Sequence, residues 1–270
     1  AQEESGQEGE GWLLEEVVVT AQRREASMQD VPISISAFSG DQLEQSGVDG
    51  TFDLEMITPG LSIASDVIQG NIYIRGVGST AVAGPGTDSS TSAYIDGVYQ
   101  SQTISAVVDL LDIERVEVLK GPQGTLYGRN STGGAIKYIS KTPGREFGGK
   151  LKTEVGSYND IKLSATVDIP LVEDKLLLRA AVQKQDRDGY TDIIGLSKGN
   201  DREDLAAGRL TLQYIASDDL DILLHATAVN DEGDGPAIKH FVDPNSGLFT
   251  TALMISDPRK IASNMSAPSE

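Results

Sequence analysis

The chain has 270 residues, 39% of them apolar and 29 of them glycine, with no cysteine; 41 acids against 22 bases give a formal net charge of −19. Without cysteine there is no disulfide, thiol nucleophile or thiolate metal site. The acidic balance argues against nucleic acid as a partner, because phosphate binding needs a basic face.

The length allows one large or two ordinary domains. Two histidines, His225 and His240, are too few and too far apart for a His-based metal site. No run of about 18 apolar residues exists to cross a membrane as a helix, which leaves open a membrane barrel, whose alternating strands give a weak hydropathy signal. The chain opens Ala1-Gln2-Glu3-Glu4 without a methionine, as after signal-peptidase cleavage, although an arbitrary boundary looks the same.

Residues 1–14 are rich in Glu and Gly and are expected to be disordered. Residues 15–24, EEVVVTAQRR, favour an extended backbone through Val17, Val18, Val19 and Thr20. Such a segment either adds itself to the sheet edge of another protein or serves as the first strand of the domain C-terminal to it.

Residues 31–143 read as an α+β unit. Ile33, Ile35 and Ala37 alternate with serines as a strand, and Ser39 and Gly47 bracket a short capped helix. Residues 51–57 predict a second short helix, and residues 61–63, 72–75 and 93–96 predict short strands. Residues 76–92 form a long loop of small residues, the kind that is functional or mobile in a compact domain. Residues 109–113 predict one helical turn. Val116 and Val118 then alternate with Arg115, Glu117 and Lys120, the period of a half-buried strand. Gly121, Gly124, Gly128, Gly133 and Gly134 separate it from a strand over residues 135–141, so backbone must pack closely there.

After Pro143 the character changes. Residues 150–155, 161–168, 176–183, 209–214 and 220–228 alternate between apolar and mainly polar positions. They mark about five strands, expected to run to roughly nine or more residues with one apolar face, which is the pattern of transmembrane β-strands. A soluble sandwich has equally amphipathic strands, but usually nearer five or six residues long. Five strands cannot close around a domain of over a hundred residues. Since barrels with a plugged lumen have about 22 strands, the chain is expected to be the first part of a longer protein.

Rival signals are weaker. Gly76, Gly78 and Ala81 follow a strand as in a dinucleotide site, but Gly84, Pro85 and Gly86 prevent the helix it needs. Asp231, Glu232 and Asp234 lack calcium-loop spacing. No nucleophile, base and orienting group assemble, so no catalytic residue, cofactor or resident metal is expected.

Taken together the segments resemble the N-terminal part of a TonB-dependent outer-membrane receptor. The resemblance rests on EEVVVTAQRR, on Ile74-Arg75-Gly76, on Tyr94-Ile95-Asp96-Gly97-Val98, on ERVEVLKGP from Glu114, and on GRNSTGGAI from Gly128. It implies an α+β plug domain followed by antiparallel transmembrane β-barrel strands. Residues 1–30 would be a disordered segment carrying the TonB box, residues 31–143 the plug, and residues 144–270 the first barrel strands. It implies that Glu15, Glu16, Val17, Val18, Val19, Thr20 and Ala21 bind the periplasmic protein TonB, which is driven by an inner-membrane motor. TonB would pull the plug aside and admit a bulky, scarce nutrient such as a ferric siderophore. Outer-membrane lipid would surround the barrel. Arg75, Glu114, Arg115, Glu117, Lys120 and Arg129 would then lie inside the pore, paired with the barrel wall or with each other; on a soluble domain they would be plain surface charges. The substrate-binding residues are not legible. The alternative is a soluble secreted β-rich binding protein or adhesin with no coupling to TonB.

Overall fold

The computed structural model describes residues 18–20, 26–66, 69–79, 88–100, 110–194, 201–217, 219–233 and 260–262. β1 (Val18–Val19) pairs antiparallel with β2 (Ala26–Ser27), so the valine run folds back as a short hairpin. β3 (Ser34–Ser39) runs directly into α1 (Gly40–Gln45). Ser39 Oγ accepts from the Gln42 amide and Gln42 Oε1 accepts from the Ser39 amide, a reciprocal cap on donors that a helix start leaves free. α2 (Leu54–Ile57) is shorter than the helix expected over residues 51–57. Asp53 Oδ2 accepts instead from the amides of Asp49 and Gly50, which favours a turn ahead of the helix.

β4 (Leu61–Asp66) and β5 (Gln69–Ile74) form a separate hairpin. β6 (Thr91–Ile95), β7 (Val98–Gln100), β8 (Ile113–Lys120) and, after the short helix α3 (Gly124–Tyr127), β9 (Gly134–Ser140) join β3 in one sheet. Its order is β3-β8-β9-β6-β7, with only the β6–β9 pair parallel.

Both faces of this sheet are covered. On one, Val116, Val118, Ile136 and Tyr138 pack against Leu43, Leu54, Ile72 and Ile74. On the other, Leu119, Ala135 and Tyr94 pack against Val19, Val31 and Tyr127. β8 is therefore not the half-buried strand expected from its alternation: Glu117, on the polar side, is fully buried because the β1 hairpin lies over it. The glycine pair behind it answers to close backbone approach. Gly134 has φ +145°, and a Cβ there would stand 2.2 Å from the Leu119 carbonyl oxygen. The helical turn expected over residues 109–113 is a different structure. Asp109 lies outside the described residues, and Leu111 and Asp112 make a tight turn with Asp112 left-handed at φ 55°.

The remainder is a five-stranded antiparallel sheet and a short two-stranded parallel pair. β10 (Gly148–Val155), β11 (Ile161–Val172) and β12 (Leu176–Arg187) are followed by the short β13 (Asp192–Ile194), then β14 (Glu203–Ser217) and β15 (Leu220–Asp231). The sheet order is β10-β11-β12-β14-β15, while β16 (Lys260–Ala262) pairs with β13. Apart from β10, with 8 residues, its strands have 12 to 15, longer than is usual in soluble sheets and long enough to cross a bilayer when tilted. Register places Leu151, Leu163, Val182, Leu210 and Leu224 on one face, where all are exposed. Lys150, Lys162, Arg179 and Arg209 share the other face, which meets the mixed sheet.

Candidate functional site

The first cluster grows from one cross-strand pair. β8 and β9 place Glu117 opposite Lys137, and the side chains meet at 2.9 Å from Lys137 Nζ to Glu117 Oε2. Arg115, two residues along the same strand face, donates from Nε to Glu117 Oε1 at 2.9 Å. A buried carboxylate needs such partners, and here the N-terminal hairpin completes the set. The Thr20 amide donates to Glu117 Oε1 at 2.8 Å, and Lys137 Nζ donates to the Thr20 carbonyl oxygen at 2.9 Å and to its Oγ1 at 2.5 Å. Val19 beside it is fully buried. Burial pushes the Glu117 carboxyl up, but the Lys137 ammonium, the Thr20 amide and the Arg115 guanidinium outweigh it and hold Glu117 below the usual carboxylate range. The arrangement binds a backbone segment by its amide, carbonyl and hydroxyl, a clasp on the extended residues 18–20.

The second cluster joins the two sheets. Arg179 of β12 makes a fork on Asp112, from Nε at 2.8 Å and Nη2 at 2.7 Å, while its Nη1 donates to Asp168 at 2.5 Å. Asp168 also accepts from the Gly144 amide at 2.9 Å. Arg209 of β14 donates from Nη1 to the Leu111 carbonyl oxygen at 3.0 Å and to Ser140 Oγ at 2.5 Å. Ser140 in turn donates from its amide and hydroxyl to Asp96, both at 2.8 Å. The Leu111 side chain is buried with Ala181 and Ala207 of the antiparallel sheet. Two looser pairs lie nearby, Lys150–Glu44 at 2.8 Å and Lys162–Asp49 at 3.3 Å. A cavity of about 100 Å³ separates the two sheets here, lined among others by Glu44, Asp49, Asp112, Lys150, Lys162 and Arg179. Its polar walls suit water.

The residues expected to bind TonB, the handle by which it would pull, are only partly described. Glu15, Glu16, Val17 and Ala21 lie outside the described residues, Val18 and Val19 form β1, and Thr20 sits in the clasp. Of the six charges expected in the pore, Glu114, Arg115 and Glu117 are brought together as neighbouring ion pairs. Arg75 donates to Ser34 Oγ at 2.7 Å, and Arg129 lies 3.6 Å from Asp88 at the surface. Lys120, pushed down by burial and by Arg75, has no ion pair among the described residues. The charges that reach the antiparallel sheet are others: Glu44, Asp49 and Asp112. The sequence carried a signal for some of these. Lys137 interrupts an apolar strand, and Arg179 and Arg209 are arginines in mid-strand; a lone charge in such a place calls for a buried partner. Asp112, read as part of a helical turn, carried none.

Residues 27–135 match the TonB-dependent Receptor Plug Domain family. The pesticin receptor of Yersinia pestis is 31% identical over 201 residues, which cover 73% of this chain and 28% of that receptor. The ferripyoverdine receptor of Pseudomonas aeruginosa is 29% identical over 177 residues, 65% of this chain and 21% of the receptor. Among solved structures, the ferric yersiniabactin uptake receptor of Yersinia pestis superposes with a TM-score of 0.65 at 27% identity, over 72% of this chain and 31% of that one. The pyoverdine outer-membrane receptor of P. aeruginosa superposes at 0.66 and 23% identity, over 79% and 30%, a likeness of fold. The chain thus spans less than a third of the length of these relatives.

Proposed function

Because residues 27–135 are a TonB-dependent receptor plug domain, in a chain homologous to such receptors from there into the strands beyond it, we propose that the protein is an outer-membrane receptor for energised uptake of a bulky, scarce nutrient, a ferric siderophore. Residues 1–30 carry the handle, residues 31–143 the plug, and residues 144–270 supply the first strands of a lipid-embedded barrel. The relatives named for pesticin and ferripyoverdine support a large ligand. The exposed apolar face of β10, β11, β12, β14 and β15 supports contact with lipid.

One observation carries the mechanism: the N-terminal strand is stowed against the centre of the plug. The β1 backbone pairs with β2, and Thr20 is held by Glu117 and Lys137. Residues Glu15, Glu16, Val17, Val18, Val19, Thr20 and Ala21 form the strand that TonB adds to its own sheet. That addition needs a free backbone edge, so the hairpin and clasp must open first. TonB, driven by the inner-membrane motor, then pulls on the plug. Of the six charges assigned to the pore, Glu114, Arg115 and Glu117 neutralise one another and Arg129 faces Asp88, whereas Arg75 and Lys120 have no acidic partner among the described residues; the site performs no covalent chemistry.

The test is capture by the periplasmic domain of TonB. Retention of the wild type, a loss of tenfold or more on Val18→Pro, and a gain on Glu117→Gln are expected, since proline removes a ladder donor and the amide loosens the clasp. No retention of any variant would leave a binding protein or adhesin uncoupled from TonB.

A further inference from the structure

Register gives the antiparallel sheet a mainly cationic inner face. On the side that meets the mixed sheet, β10, β11 and β12 carry Lys150, Lys152, Lys162, Arg179 and Arg187 against Glu154 and Asp168, in a chain with 41 acids and 22 bases. The same face is rich in donors. Lys150 stands opposite Thr166, and Lys152 stands opposite Ser164, with Gln183 next across the sheet. The Ser164 and Thr166 hydroxyls make no hydrogen bond among the described residues, and both line the cavity between the sheets. Across that cavity the mixed-sheet unit presents Glu44, Asp49 and Asp112, while Lys141 leans toward Asp41.

Asp112 is held hard in the Arg179 fork, with side chains 3% and 11% exposed. Glu44 and Asp49 are held differently. Their carboxylates are 43% and 55% exposed, and each meets one lysine, Lys150 at 2.8 Å and Lys162 at 3.3 Å. Lysine offers a point charge on a flexible stem, without the planar fork of arginine, so it exchanges one oxygen partner for another at little cost. Lys162 is the sharpest case. Its side chain is 9% exposed, yet Asp49 at 3.3 Å is its one ion partner among the described residues. A buried ammonium so loosely matched is ready for a better acceptor.

We propose that Lys150, Lys152 and Lys162, with Thr166 and Ser164 between them, form the surface along which an anionic, oxygen-rich chelate crosses the barrel. Glu44 and Asp49 occupy that surface in the closed protein as stand-ins for the oxygens of the chelate. The proposal rests on the uptake reading above and adds the charge of the cargo and the residues that meet it inside the lumen. Any motion that takes Glu44 and Asp49 off the wall leaves three ammoniums and two hydroxyls to the cargo. An anion then replaces carboxylates, whereas a cationic chelate is repelled and a neutral one gains nothing. Glu154, paired with Lys152, keeps the net charge of the lane low, which suits passage over capture. Once the anion has left, the lysines return to Glu44 and Asp49.

The experiment measures uptake of radioactive iron by cells in which the full-length protein is the sole receptor for the chelate tested. The probes are a ferric tris-catecholate trianion, a ferric citrate complex and a neutral ferric trihydroxamate. Uptake of an anionic chelate is expected. Lys150→Gln/Lys152→Gln/Lys162→Gln should lower its rate at saturation by about fivefold or more, with half-saturation and binding at the cell surface unchanged. Lys150→Arg/Lys152→Arg/Lys162→Arg, which keeps the charge, should keep the rate. If the lysines only fasten the plug, the glutamine variant loosens it and imports as fast or faster; that result, or uptake confined to the neutral chelate, overturns the proposal. No uptake of any of the three overturns the siderophore reading instead, and the lane is then decided by titrating the purified full-length protein with inorganic phosphate. Glu44→Gln/Asp49→Asn should tighten phosphate binding about tenfold, and adding Lys152→Gln/Lys162→Gln should abolish that gain. Equal binding by all of these proteins overturns the lane.

Discussion

Glu117 shows how a residue that reads as surface charge becomes the centre of a site. Its alternation with Val116 and Val118 predicts a solvated side chain, and nothing within ten residues contradicts that. Its partner Thr20 is 97 positions away, and no local pattern records a contact at that distance. Lys137 was nearer to legible, because a lysine inside an apolar strand is costly unless it is paired. The energetic consequence is specific. Glu117→Ala leaves the Lys137 ammonium buried without its carboxylate, a change on the order of 3–5 kcal/mol. It should free residues 18–20 to proteolysis while the antiparallel sheet keeps its circular dichroism. The pH dependence has a definite sign. Because the folded Glu117 carboxyl lies below its ordinary value, its contribution to the stowed state is complete above about pH 4.3 and is lost as pH falls through the lower folded value. Cleavage at residues 18–20 should therefore be flat from neutral pH down to that region and rise only in stronger acid. A rise already between pH 7 and 6 would point to a different group.

At the scale of elements, the five long strands after Pro143 were legible in place, and β11, β12 and β15 in their first residue, because a sheet with one apolar face writes its period into every second position; β14 starts at Glu203 rather than at residue 209, and the short β13 and β16 were not expected. The mixed sheet was legible in parts. β3, β6, β8 and β9 were recognisable, and α1 was announced by Ser39 and Gly47, but the order β3-β8-β9-β6-β7 was not. It depends on which glycines allow close approach, and spacing alone does not say what approaches. Gly134 is where that constraint is sharpest. A methyl group there meets the Leu119 carbonyl oxygen at 2.2 Å, and the left-handed φ adds its own strain. The same methyl would stand 2.9 Å from Ile74 Cδ1 of β5. Gly134→Ala should therefore destabilise the plug by about 1–3 kcal/mol, the usual range for overpacking, and loosen β8, β9 and β5 more than the antiparallel sheet β10-β11-β12-β14-β15. Amide exchange checks this: faster exchange in β5, β8 and β9 with the antiparallel sheet unchanged is expected, and uniform loosening would mean that the clash is absorbed elsewhere. The short turn at Leu111 and Asp112 was missed for a related reason. A left-handed aspartate costs little and leaves no apolar signature, so its seating in the wall appears only once two arginines from distant strands converge on it.

For the whole molecule, the question is which solvent faces Leu151, Leu163, Val182, Leu210 and Leu224. They share one face of the antiparallel sheet and are all more than two fifths exposed, Leu151 at 72% and Leu224 at 59%. In water, so much contiguous apolar surface would drive association. In a bilayer it is the correct surface, with the polar face turned to the plug as a second, internal solvent boundary. The two environments give opposite signs for one substitution. Leu210 is directly paired with Ala180 and Ala226, in the middle of the apolar band. Leu210→Arg places a charge against hydrocarbon and should cost about 2–4 kcal/mol of folding free energy if that position lies near the bilayer midplane. In a soluble β-rich protein the same arginine would meet water, leave stability nearly unchanged and improve solubility. Reversible unfolding of the full-length protein from lipid vesicles, compared with the wild type, reads the difference directly. A loss at Leu210→Arg with little change at an outward position beyond the band, such as Asp186→Arg, sets the lipid boundary; equal tolerance at both would place this sheet in water and remove the cylinder on which the plug and its handle depend.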